Sequence, residues 1–168
     1  RDVHGQRLGG DQLILGVQPV VRWPPQYEAP LVEYPVGVRL GQVGWLVGCH
    51  LSEIGDKLEV RLVWEALTPP DEPGYTVFVH LRREGRLVAQ HDGVPGQGRQ
   101  PTVAWRRGEF ITDRHMLSLG GVSDGDYTLY VGMYDPATGE RVPAFDASGT
   151  LLSAGEVPMG MVTVEGAN

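Results

Sequence analysis

Between Lys57 and Asp92 the chain reads KLEVRLVWEALTPPDEPGYTVFVHLRREGRLVAQHD, three short alternating runs divided by breaker clusters. In the first run Leu58, Val60, Leu62, Trp64 and Ala66 fall on one side of an extended chain, and Glu59, Arg61, Val63 and Glu65 on the other. A period of two buries one face of a sheet and wets the other, so this stretch is strand and not helix. TPPDEPG and RREG supply the turns of an antiparallel meander.

The same punctuation runs through the rest of the chain. Strand candidates are VGVRLGQ, VGWLVGCHL, YTVFVHL, RLVAQHD, TVAW, FITDRHMLSL, DYTLYVGMYD, RVPAF and MGMVTVEG, with no helix of three turns among them. Gly 24 and Pro 13 in 168 residues fit many strands joined by tight turns. About eight to ten strands spaced roughly ten residues apart predict an all-β fold, an antiparallel β-sandwich of jelly-roll-like or immunoglobulin-like type. Trp64, and with it Trp45, is expected in the core.

Ahead of the sandwich lies a different kind of sequence. Residues 1–11 are polar and Gly-rich, and QLILGVQPVVRW follows as an apolar β-prone run broken by Pro19. Pro19, Pro24, Pro25, Pro30 and Pro35 then make an extended, semi-rigid connector. The division expected is 1–35 for an N-terminal arm and Pro-rich connector, and 36–168 for the β-sandwich domain. Leu13, Ile14, Leu15, Val17, Val20 and Val21 form an apolar strand that must be buried somewhere, while the prolines hold it away from the domain behind it. Such an arm can complete the sheet of a neighbouring copy.

Composition excludes several functions. A net charge of −7 argues against nucleic acid, which wants a basic face. No run of 18 apolar residues is present to span a membrane. The start at Arg1 fits a processed mature protein or an excised piece. Cys49 is the single cysteine, so no internal disulfide can form; it sits in an apolar run and reads as a buried, inert thiol.

Candidate chemistry is sparse. His4, His50, His80, His91 and His115 lack the spacing of a metal site, so no metal and no cofactor are expected. His80 and His91 are placed to meet across the YTVFVHL/RLVAQHD hairpin with Asp92 beside them, as a cross-strand polar pair. No G-x-S-x-G string occurs, and Glu59 and Glu65 lie on the wet side of one strand, so no catalytic residues are assigned. The DASG and DPATGE turns carry oxygen ligands that calcium would accept, but Asp135, Pro136, Thr138 and Gly139 are also what a β-turn requires. Trp23 and Trp105 flank loops and are the candidates for stacking on a sugar.

The strings VRLVWEALTPPDEPGYTVFVHL, GRLVAQHDG, PTVAWRRGEFITDRH and DGDYTLYVGMYDPATGERVP, within about Gly41 to Val164, resemble an extracytoplasmic β-sandwich module found in the C-terminal tails of bacterial membrane glycosyltransferase-like proteins. That resemblance implies a sandwich outside the membrane and no assigned catalytic residues. The expectation is a non-catalytic extracellular or cell-surface protein that self-associates through its N-terminal strand into a surface assembly or filament. The alternative is a carbohydrate-binding accessory domain of a membrane glycosyltransferase.

Overall fold

The computed structural model describes residues 24–165. Nine strands lie within them: β1 Tyr34–Leu40, β2 Gly44–Ile54, β3 Lys57–Ala66, β4 Thr76–Arg83, β5 Arg86–Gly93, β6 Phe110–Ser118, β7 Gly125–Tyr134, β8 Ala144–Phe145 and β9 Val157–Val164. They build two antiparallel sheets, ordered β6-β3-β2-β1-β8 and β5-β4-β7-β9. The fold is all-β, a sandwich, and no described helix is long and apolar enough to cross a membrane.

The alternation in β3 sets the layering. Leu58, Val60, Leu62, Trp64 and Ala66 all point into the core and meet Leu81, Leu129, Val131 and Met133 from the second sheet. Trp64 is fully buried, its ring 6.2 Å from that of Trp105. Trp45 is only half-buried on the opposite face, where it pairs with Glu65. The hairpin between β4 and β5 turns at Glu84 and Gly85, both at positive φ (51° and 77°), the twist that a two-residue connection demands.

Two local expectations are corrected. TVAW is not a strand: Thr102–Ala104 is a single 3-10 turn, fixed because the buried Thr102 Oγ1 accepts the Tyr75 N–H at 2.9 Å. Nor is the whole connector held away from the domain. Gln26 bridges Phe110 on β6, and the Leu31 carbonyl lies 3.0 Å from His50 Nε2 on β2. Val32 rests on Gly48, where a Cβ would come within 2.9 Å of the valine. Between these contacts residues 24–33 form neither helix nor strand, with bends at Glu28 and Glu33.

Candidate functional site

Edge strands β5 and β6 end their respective sheets on the same side of the sandwich and face each other there. Along β6 the inward row is Ile111, Asp113, His115 and Leu117, all essentially buried. Two polar residues thus occupy core positions, which is costly unless each polar atom is paired. They are paired. Asp113 takes the Gly96 N–H at 3.0 Å, the Trp64 Nε1–H at 3.4 Å and His115 Nε2 at 2.8 Å. On its other side His115 Nδ1 stands 2.9 Å from Nδ1 of His91, which reaches in from β5.

The proton count follows from the partners. With the Gly96 and Trp64 N–H groups donating to the Asp113 carboxyl, His115 donates to it as well, through Nε2. One proton then lies between the two Nδ1 atoms, because two donors facing each other would repel. Burial, and next the neighbouring His115, push the His91 pKa below the usual histidine value. The result is a hydrogen-bonded chain, Asp113–His115–His91, that stitches the two sheets together where apolar packing would otherwise close them.

Beside this seam a cavity of about 320 Å³ is lined by His91, Gln97, His115 and Met116, among others. A second cavity, about 290 Å³, continues along β6 between Thr112, Arg114 and the 96–100 loop, and ends at Pro24 and Gln26. Arg114 and Gln97 line both, so the two form one trough beside the β6 edge. The backbone direction is set by the ladder. Glu109 and Leu119 bond toward β3 and its adjoining turn, while the Phe110 N–H turns the other way to the Gln26 carbonyl at 2.7 Å. Thr112, Arg114, Met116 and Ser118 share the parity of Phe110, so their backbone groups point away from β3, and the first three line the trough. Among the described residues, Gln26 is the one that pairs with β6 on this side.

The outer faces are polar networks already satisfied within themselves. Glu59 is buried on the wet side of β3 because Arg61 and Arg114 both ion-pair with it. On the second sheet Glu156 binds Arg82 and Arg141, while Phe78 lies under the Arg141 guanidinium at 4.6 Å. Burial raises the Glu156 pKa, but hydrogen bonds from Arg82 and Arg141 outweigh it and leave the carboxyl below its usual range.

The residues singled out from sequence separate clearly. Leu13, Ile14, Leu15, Val17, Val20, Val21 and Trp23 lie outside the described residues. Trp105 is only 4% exposed and donates its indole N–H to the Gln100 carbonyl, so its ring offers no face for a sugar to stack on. His80 and His91 do not meet: the register sets His80 opposite Gln90 and His91 opposite Val79, on opposite faces of the sheet. His80 lies 3.8 Å from Asp92 instead, and burial lowers its pKa. Cys49 is buried, and desolvation pushes its thiol pKa up to about 11. In both acidic turns the aspartate is occupied by its own loop, Asp135 with the Ala137 N–H and Asp146 with the N–H groups of Ser148 and Thr150.

The Asp113–His115–His91 chain was missed by motif spacing. Its signal was in the pattern of FITDRHMLSL, where Asp113 and His115 share the apolar side with Ile111 and Leu117. No known protein family, curated protein or solved structure matches this chain.

Proposed function

We propose that the chain is a non-catalytic, extracytoplasmic β-sandwich that self-associates by strand addition, residues 13–21 of one copy completing the β6 edge of the next. The observation that carries this reading is the Gln26–Phe110 bridge, at the mouth of a trough along an edge that pairs with nothing else among the described residues. Continuing that pairing within one chain would set Pro24, which has no N–H, opposite Thr112. The next bonded position would set Arg22 opposite Arg114, and like charges directly opposite one another destabilise a sheet. The chain's own arm is therefore a poor continuation of its own bridge. On this reading the apolar run 13–21 is given to a neighbour's edge instead.

The glycan alternative loses Trp105 as a stacking platform. Extracytoplasmic placement rests on the sequence resemblance.

A labelled peptide of residues 12–22, titrated into a chain lacking residues 1–23, tests the reading. Saturable binding that Met116→Pro abolishes supports it, since proline there removes an outward N–H. Absence of peptide binding, or binding indifferent to β6, would refute it.

A further inference from the structure

We infer that His91 and His115 form a two-imidazole chelate for a divalent transition-metal ion of square-planar preference, Cu(II) above Zn(II), with Asp113 as the positioning carboxylate. Two Nδ1 atoms 2.9 Å apart converge from opposite sheets, and the rings stand at 74° to each other. An ion roughly 2.0–2.1 Å from each nitrogen sees that pair at about 90°, the angle of adjacent square-planar positions. A tetrahedral ion at the same bond length needs the nitrogens about 3.4 Å apart.

The support around the pair is already built. Asp113, 1% exposed, fixes the His115 tautomer through Nε2, which leaves Nδ1 with its lone pair toward His91. A carboxylate behind a ligating imidazole raises its basicity and locks its orientation. Binding costs one tautomer change: the His91 proton moves from Nδ1 to Nε2, so both Nδ1 lone pairs face the ion and no net proton is lost. Among the described residues no third His, Cys, Asp or Glu joins the pair. The remaining positions belong to water, for which the adjoining cavity of about 320 Å³ has room. Hairpin geometry argued for His80 with His91, whereas the register pairs His91 with a histidine of the other sheet.

Titration of the intact protein with Cu(II), followed by electron paramagnetic resonance, tests the site. One equivalent should bind, with electron spin echo modulation from two imidazoles. His91→Gln should remove that species, Asp113→Asn should weaken it at least about tenfold, and Zn(II) should compete poorly. Echo modulation on the unaltered protein provides a reading even if a variant folds badly. His4→Ala is the control for Cu(II) taken up by a histidine outside the pair. Failure to bind one equivalent would overturn the proposal, as would a signal kept by His91→Gln or lost in His4→Ala.

Discussion

The Gln26 carbonyl accepts the Phe110 N–H at 2.7 Å, which ties the proline-rich connector to the outer end of β6. That contact marks where the connector meets the β6 edge of its sheet. It also sets the parity by which Thr112, Arg114, Met116 and Ser118 present their backbone groups outward.

Trp64 fills the centre of the core and also donates to Asp113. Trp64→Ala should cost about 3–5 kcal/mol in denaturant unfolding, the usual range for emptying an aromatic core site. Trp64→Phe should cost less while still lowering stability, since it keeps most of the ring but removes one of the carboxylate's donors. Equal stability of the alanine variant and the parent would refute the assigned face of β3.

Asp113→Asn should destabilise the fold by about 1–3 kcal/mol, because an amide cannot accept from three donors without turning an N–H against one of them. Chemical denaturation midpoints measure this. An unchanged midpoint would mean that the seam contributes nothing to holding β5 against β6.

His91 has a folded pKa below its unfolded value of about 6.5. The fold therefore disfavours the proton that the unfolded chain accepts. The stability this group contributes is complete above pH about 6.5, and is lost as pH falls from there through the lower folded pKa. Unfolding free energy measured from pH 7.5 to 5 should decline in that window, and His91→Gln should flatten the decline. His80, also lowered, contributes the same sign, so part of the decline should remain in His91→Gln and shrink further in the double variant.

The layering was legible in the sequence because β3 alternates strictly and its neighbours are separated by Pro/Gly turns. The face of Trp64 and the inertness of Cys49 followed from local pattern alone. Three things did not. Trp105 adjoins a loop in sequence, yet it packs against Trp64 across the core, a long-range contact that no local pattern records. The pairing of His91 depends on register and on which strands end the two sheets, so a plausible hairpin partner, His80, was displaced by His115. Glu59 read as a wet side chain, but two arginines gathered on the same face cover it.

Strand addition at β6 is tested by sedimentation velocity of the intact protein across a wide concentration range. Concentration-dependent species larger than a monomer should form. Either Met116→Pro or Met116→Lys should collapse them to monomer, and so should removal of residues 1–23, without lowering the melting temperature appreciably. A parent protein that stays monomeric at every concentration would rule out strand addition at β6, and so would assemblies indifferent to both β6 substitutions.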